Sequence, residues 1–342
     1  MAQMKNIFIT GGLGYIGSHT CVVLLEAGFQ VSIIDNLCNS NPGVLDRIEC
    51  ITGVRPVFYR GDIRDRPLLD DIFSKQSFDA VIHFAGLKAV GESVEKPVDY
   101  YDNNVNGSLS LFIAMKKVKL QTLVFSSSAT VYGDPHSVPI TEDFPCSATS
   151  PYGGSKLMVE NILSDLAVAE PGWSIGRLRY FNPVGAHAGG LIGEDPKGVP
   201  NNLMPYIAQV ASGRRKKLQV FGGDYPTPDG SGVRDYIHVM DLAEGHLAAL
   251  RYCQINSGLL TVNLGTGQGI SVIQMIETFE RVTGQKVAFE IVGRRPGDIA
   301  QCWTDPTLAK QLLGWSAGRS IEDMCTDAWR WQDLNPSGYD EG

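Results

Sequence analysis

Short apolar runs, each followed by a stretch with helical spacing, recur through the first half of the chain. Ile7–Thr10, Val31–Ile34, Val81–Phe84 and Leu123–Ser126 are nearly continuous in apolar residues, the mark of strands buried on both faces of a parallel sheet. Between them lie amphipathic segments, such as the one from Ser18 to Ala27, stopped by Gly28. Strand and helix in alternation predict an α/β fold on a doubly wound parallel sheet. After about Asn182 the alternation breaks, and glycine- and proline-rich loops appear from Gly185 to Pro200 and from Gly222 to Gly232. Long irregular segments inside a compact chain tend to be functional. A chain of 342 residues is long for one core. The pattern predicts a cofactor domain over 1–182, with segments near 233–265 as candidates for return to it. Over 183–342 it predicts a smaller, mixed α/β domain that covers a substrate.

Ligands of doubly wound sheets sit at the carboxyl ends of the strands, so the residues after each strand come first. Thr10-Gly11-Gly12-Leu13-Gly14-Tyr15-Ile16-Gly17 follows the first strand and opens a helix. Gly11 suits the tight turn, Gly14 a close approach of backbone to a pyrophosphate, and Gly17 close helix packing, while the helix start offers free N–H groups to the phosphates. Asp35 ends the second strand, 18 residues past Gly17. A carboxylate there accepts hydrogen bonds from an adenosine ribose and repels a 2′-phosphate, which favours NAD over NADP. A turn cap beside Asn36 is the plainer alternative for Asp35. The set predicts an NAD-binding Rossmann sheet. Gly61-Asp62-Ile63 and Phe84-Ala85-Gly86-Leu87-Lys88 are post-strand turns placed to reach the adenine and to wall the nicotinamide side, though each alone could be a simple loop.

Tyr152 and Lys156 form Y-x-x-x-K and share one helix face, with Ser150 as cap and Pro151 in the first turn. A free tyrosine ionises near pH 10, about three units too high for a base at neutrality. An adjacent ammonium and a positive nicotinamide ring would both favour the phenolate and lower that value. Ser126-Ser127-Ser128-Ala129-Thr130 ends a strand, and Ser128 there could bridge a substrate hydroxyl and the phenolate.

Composition narrows the classes. The net charge of -8 disfavours a nucleic-acid partner, because phosphate neutralisation needs a basic face. The run Arg214-Arg215-Lys216-Lys217 beside Gly213 reads as a solvated helix end. Seven scattered cysteines without a C-x-x-C pair suggest reduced thiols in the cytoplasm. No apolar stretch approaches the roughly 20 residues of a membrane span. The six histidines show no ligand spacing, so no metal is expected.

Thr10 to Gly17, Asp35, Ser128 and the Tyr152/Lys156 pair together resemble the extended short-chain dehydrogenase/reductase family. Four longer strings, His83 to Ser93, Tyr101 to Val105, Arg179 to Ala186 and Gly232 to Val239, narrow the resemblance to its UDP-glucose 4-epimerase branch, over essentially the whole chain. The resemblance implies an isomerase of galactose metabolism that interconverts UDP-galactose and UDP-glucose. Tyr152 would take the proton of the sugar 4-hydroxyl as hydride passes to bound NAD. Ser128 would relay or orient that proton, and Lys156 would hold the cofactor ribose and tune Tyr152. The transient 4-keto sugar would turn over and take the hydride back on its other face.

The resemblance also implies NAD contacts from Tyr15, Ile16, Asn36, Leu37, Cys38, Asn39, Ser40, Asp62, Ile63, Phe84, Ala85, Gly86, Leu87, Lys88, Asn103 and Phe181, beside the glycines, Asp35, Ser128, Tyr152 and Lys156. It implies UDP-sugar contacts from Lys88, Ser128, Tyr152, Asn182, Asn202, Leu203, Gln219, Val220, Phe221, Arg234, Arg295, Asp298 and Cys302. Arginines suit a diphosphate through forked, charge-assisted hydrogen bonds, and Asp298 suits the uridine ribose. A homodimer through helices of the cofactor domain is implied, with Val98 to Met115 and Lys156 to Ala169 patterned as helices.

Two positions depart from the family. Gly154 stands where a basic residue is usual, and Gly153-Gly154 should loosen the first helical turn by up to about 1 kcal/mol per glycine. Cys302 stands where a bulky tyrosine resembles a gate against N-acetylated sugars, so activity on UDP-GlcNAc and UDP-GalNAc is expected as well. A nucleotide-sugar dehydratase would need an Asp-Glu pair just after the serine strand, and Ser127-Ser128-Ala129 supplies none. A uronate epimerase and a non-catalytic NAD-binding regulator stay open, the latter able to dispense with the tyrosine-lysine pair.

Overall fold

The computed structural model describes residues 5–295 and 298–339. Along them run β1 (Asn6–Thr10), β2 (Gln30–Asp35), β3 (Val57–Arg60), β4 (Ala80–His83), β5 (Thr122–Ser128), β6 (Ser174–Tyr180) and β7 (Asn182–Val184). There follow β8 (Leu218–Phe221), β9 (Val233–His238), β10 (Gly258–Leu264), β11 (Gly269–Ser271), β12 (Phe289–Val292) and β13 (Gln301–Cys302). Seven of these form one parallel sheet in the order β10-β6-β5-β4-β1-β2-β3. The chain turns outward in opposite directions from β1, and a crevice opens at that reversal, at the carboxyl ends of the strands.

Alternation along each strand builds two cores. Ile7, Ile9, Ile33 and Ile82 point to one face, where Cys21, Val22 and Leu242 of the helices Tyr15–Glu26 and Val239–Ile255 cover them. Phe8, Ile34, Val81 and Leu123 point to the other, under Ile72, Leu111 and Val159 of helices Arg66–Lys75, Gly107–Lys117 and Pro151–Ala169. Each fully buried side chain of this size contributes about 1.5–3 kcal/mol, so apolar runs buried on both faces make the sheet the main source of cohesion.

The remaining strands are short. β9 lies between β11, antiparallel, and β13, parallel, with β7 also paired to it. β8 pairs with β12. Helices Leu203–Ala211, Val272–Thr283 and Ile321–Leu334 pack around them through Met204, Ile207, Met275, Phe279 and Met324. The segment near 233–265 divides: β9 belongs to this smaller sheet, while β10 lies at the edge of the large one. No helix among the described residues is long and apolar enough to cross a membrane.

Candidate active site

The glycine loop is shaped by positions that reject a side chain. Gly11 has a φ of +68°, and a Cβ on it would lie 2.8 Å from the Ala85 amide nitrogen. A Cβ on Gly17 would overlap the Gly11 carbonyl oxygen and come within 2.8 Å of Gly12 Cα. Gly14 starts the helix with extended backbone and no capping side chain, three residues earlier than the apolar spacing indicated. Its neighbours Tyr15 and Ile16 therefore present first-turn N–H groups to the cleft.

Asp35, buried at the end of β2, accepts from the Leu13 N–H at 3.1 Å, the Leu37 N–H at 2.9 Å and the Ser40 hydroxyl at 2.7 Å. The carboxylate thus shapes the loop that follows it, as a turn cap would, and still faces the cleft. Asp62 accepts from Asn36 at 2.9 Å and pairs with Arg64 at 2.8 Å. The hydrogen bonds from Arg64 lower its carboxyl to about 2.

A cavity of about 280 Å³ runs along these carboxyl ends. Its wall brings together Gly11, Gly14, Tyr15, Ile16, Gly17, Asp35, Asn36, Cys38, Asn39, Ser40, Ile63, Phe84, Ala85, Gly86, Leu87, Lys88, Asn103, Tyr152, Lys156 and Asn202. Four other expected cofactor residues stand behind it. Leu37 holds the loop with a φ of +62°, Asp62 anchors Asn36, Phe181 is buried against Val131 and Ile140, and Ser128 meets Tyr152.

The helix Pro151–Ala169 begins as its sequence indicates, with the Ser150 hydroxyl accepting from the Gly153 N–H at 3.2 Å. Gly153 has a reason beyond the turn: a Cβ there would lie 2.8 Å from the Thr130 carbonyl oxygen. The glycine lets the helix start press against the end of β5. The Ser128 hydroxyl is the polar neighbour that favours the Tyr152 phenolate, and it accepts from the Thr130 hydroxyl at 3.0 Å. Lys156 is buried, with Nζ donating to the Ser126 carbonyl at 2.7 Å and lying 5.0 Å from the centre of the Phe125 ring.

Burial lowers Lys156 to about 8, with Glu160 pulling it partway back. Burial also raises the Tyr152 phenol above its ordinary value, and the Ser128 hydrogen bond offsets only part of that. The sequence argument, which lowers this phenol through the ammonium, therefore meets a stronger opposing effect in the protein itself: loss of water around the phenolate.

The expected UDP-sugar set divides. Lys88, Tyr152 and Asn202 share the cavity wall; Ser128 stands just behind Tyr152. Asn202 precedes Leu203 at a helix start. The others lie on the smaller sheets: Asn182 on β7, Gln219, Val220 and Phe221 on β8, Arg234 on β9 and Cys302 opposite it on β13. Arg295 and Asp298 pair with each other at 2.9 Å, and the Arg295 guanidinium lies 4.7 Å from the centre of the Phe221 ring.

Several residues in or behind the wall carry no signal in the sequence argument. Asn104, inside the quoted string Tyr101 to Val105, accepts from the Leu87 N–H at 2.8 Å and donates to the Leu87 carbonyl at 3.0 Å and to Ser155 at 2.9 Å. It ties the Phe84–Lys88 loop to the helix of Tyr152. Glu194 accepts from Lys88 at 3.0 Å and from Asn202 at 2.6 Å. Lys197 donates to the Leu37 carbonyl at 3.1 Å. The Tyr339 hydroxyl donates to the Gly193 carbonyl at 3.1 Å. The glycine-proline loop was flagged as a segment; nothing local marked Tyr339. Among the described residues no cluster could hold a metal ion.

Comparisons bear on this geometry. Residues 8–328 match the family model described as GDP-mannose 4,6 dehydratase. A UDP-glucose 4-epimerase of Bacillus subtilis (strain 168) is 57% identical over 333 residues, 97% of this chain and 98% of that one. A crystal structure of the UDP-glucose 4-epimerase from Stenotrophomonas maltophila, with bound NAD and formylated UDP-arabinopyranose, has a TM-score of 0.96 at 53% identity, covering 98% of this chain and 99% of that one. That from Bifidobacterium longum, in complex with NAD+ and UDP, has a TM-score of 0.95 at 52% identity, covering 98% of this chain and all of that one, 100%.

Proposed function

The chain belongs to the GDP-mannose 4,6 dehydratase family of extended short-chain dehydrogenase/reductases, on its UDP-glucose 4-epimerase branch, and from that premise we propose how its residues carry the reaction. It is an NAD-dependent isomerase that interconverts UDP-galactose and UDP-glucose. The uncapped helix start, the side-chain-free loop at Gly11 and Gly17 and the Asp35 carboxylate fit a dinucleotide. When bound, NAD supplies the reversible two-electron exchange at the sugar C4. The glycine loop holds the pyrophosphate, Asp35 the adenosine ribose, and Phe84 to Lys88 the nicotinamide side.

Tyr152 accepts the 4-hydroxyl proton of the sugar and later returns it. Ser128 orients that proton, and the Lys156 ammonium favours the phenolate and holds the cofactor ribose. The observation that carries this reading is the meeting of Tyr152, Ser128 and Lys156 at the inner end of the cofactor cleft. Arg234 and Arg295 take the diphosphate, Asp298 the uridine ribose, and Asn182, Asn202, Leu203 and Gln219 to Phe221 the rest of the nucleotide sugar. The 129–132 turn after Ser128 carries no acid, so water elimination lacks its catalytic groups. Incubating the purified protein with UDP-galactose and no added NAD should yield UDP-glucose. Unchanged UDP-galactose, from protein shown to carry NAD, overturns the reading.

The small side chain of Cys302 supports a wider sugar range. This half-buried thiol packs on the cluster of Phe181 and Tyr132, opposite Arg234 on β9, and its side chain is smaller than the tyrosine that stands there in the family. The wild-type protein should interconvert UDP-GlcNAc and UDP-GalNAc. Cys302→Tyr should lose that pair by at least about tenfold and keep the plain hexoses, since a clash in a fitted pocket is worth roughly 1–3 kcal/mol. Product analysis on both sugar pairs checks it.

The protein acts as a homodimer in the cytoplasm, where its seven free cysteines stay reduced. Val94, Val98, Leu109, Ile113 and Met158 are exposed on neighbouring helices over one face of the large sheet. A second copy would cover them. Val98, 76% exposed, makes the test clean: Val98→Asp should leave the fold intact and give a monomer by light scattering, against a dimer for the parent.

A further inference from the structure

Three side chains one turn apart on the Pro151–Ala169 helix grip three successive residues of β5. Tyr152 has the Ser128 hydroxyl as its polar neighbour, Lys156 Nζ donates to the Ser126 carbonyl at 2.7 Å, and the Ser127 hydroxyl donates to Glu160 Oε1 at 2.5 Å. Positions i, i+4 and i+8 share a helix face, so the helix meets the strand through three rungs. The first two rungs are the catalytic pair. The third is Glu160.

Glu160 is itself immobilised. It is 1% exposed, and Arg179, the residue opposite Ser127 on β6, grips both carboxylate oxygens, with Nε at 2.9 Å from one and Nη2 at 2.6 Å from the other. Arg177 Nη1 donates to the Glu160 carbonyl at 2.9 Å, and its Nε to Thr261 of β10 at 2.9 Å. Arg179 also donates to the Tyr132 hydroxyl at 3.0 Å, which donates to Asn263 at 2.6 Å. Glu160 therefore ties the helix to three adjacent strands, to β5 and β6 through its carboxylate and to β10 through its backbone carbonyl and Arg177. A buried ion pair adds little net stability over apolar residues of the same volume, but it fixes geometry.

We propose that Glu160 is a positioning residue for the epimerisation: its clamp on Ser127 sets the register of the helix on β5 and so holds Tyr152 beside Ser128. The inference rests on the roles given above to Tyr152, Lys156 and Ser128. Glu160 has a second effect on the same helix. Its anion favours the ammonium form of Lys156 against burial. The other titratable groups around Lys156 are Tyr152 on its own helix, His83 at the end of β4 and Tyr180 at the end of β6. Burial holds His83 at about 3 and Tyr180 well above its ordinary value, so neither changes charge near neutrality.

The experiment compares Ser127→Ala, Glu160→Gln and Tyr152→Phe in the full-length, NAD-loaded protein, with UDP-galactose as substrate. Ser127→Ala removes one rung and keeps the ion pair. Its kcat should fall about tenfold, as a sub-ångström misplacement of reacting groups does, with KM, NAD content and the alkaline limb of the pH profile unmoved. Glu160→Gln should lower kcat at least as far and shift that limb to lower pH, because Lys156 loses its neighbouring anion. A merely structural role would move melting temperature without moving the limb. Ser127→Ala within about twofold of the parent in kcat overturns the proposal. Should Glu160→Gln fail to fold, with Arg179 stranded, Ser127→Ala alone decides. Undiminished turnover in Tyr152→Phe would instead sink the catalytic assignment itself, whatever Ser127→Ala does.

Discussion

Tyr152→Phe should cut turnover about a thousandfold while the protein keeps its NAD, because removing a positioned general base costs roughly 10²–10⁴ in rate. The substitution is close to isosteric at a half-buried position of the cavity wall, so it deletes the hydroxyl and little else. In the NAD-loaded protein the positive nicotinamide ring opposes the effect of burial and should bring the phenol below Lys156, so turnover of the parent should rise with pH as the phenol ionises. It should fall again as Lys156, which burial holds at about 8, gives up its ammonium proton. The residual rate of Tyr152→Phe should lack the rising limb and keep the falling one. A pH profile of kcat for the two proteins, with NAD content measured in parallel, checks both parts. A variant that keeps the rising limb would place the base elsewhere.

Gly17→Ala should abolish activity by the opposite route, loss of the cofactor. The new methyl would overlap the Gly11 carbonyl oxygen and press within 2.8 Å of Gly12 Cα, both backbone atoms that no rotamer change can move aside. Either the loop or the helix start must shift, at about 1–3 kcal/mol for overpacking. The N–H groups aimed at the pyrophosphate move with it. The purified variant should contain less than about a tenth of the parent's NAD, since the displaced loop gives up some 1.4 kcal/mol or more of binding. The absorbance ratio and the NAD released on denaturation read this directly. Excess NAD should restore part of the turnover, which it would not do for Tyr152→Phe.

The parts of the site visible in the sequence are those whose physics is local. Gly11 and Gly17 could be assigned because a left-handed turn and a close backbone approach exclude other residues. Tyr152 and Lys156 could be paired because helical spacing alone places them together. The sheet followed from apolar runs of strand length; a return of the chain to it near 233–265 was a candidate, but nothing within Gly258–Leu264 says which sheet it joins. Glu194, Lys197 and Tyr339 reach the cleft across contacts of more than a hundred residues, which no periodicity encodes. Gly153 shows a subtler failure. Counted by helix propensity it only weakens the turn, whereas the structure uses the missing Cβ to seat the helix on Thr130. Tyr152 shows another: the neighbouring ammonium was legible, and the depth of burial that outweighs it was not.

β10 has a consequence for how the molecule is made. Its seven residues pair with β6 from Ser174 to Tyr180, yet they leave the ribosome some 80 residues after that strand has formed its other pairings, at a few seconds' delay for synthesis at about 5–20 residues per second. Through that interval β6 stands as a bare hydrogen-bonding margin on an otherwise assembled sheet. Such a margin invites pairing with other nascent chains. A fragment cut at Asn182 would carry it permanently, so that half ought to precipitate when expressed by itself, although the whole Gly11–Gly17 loop is present.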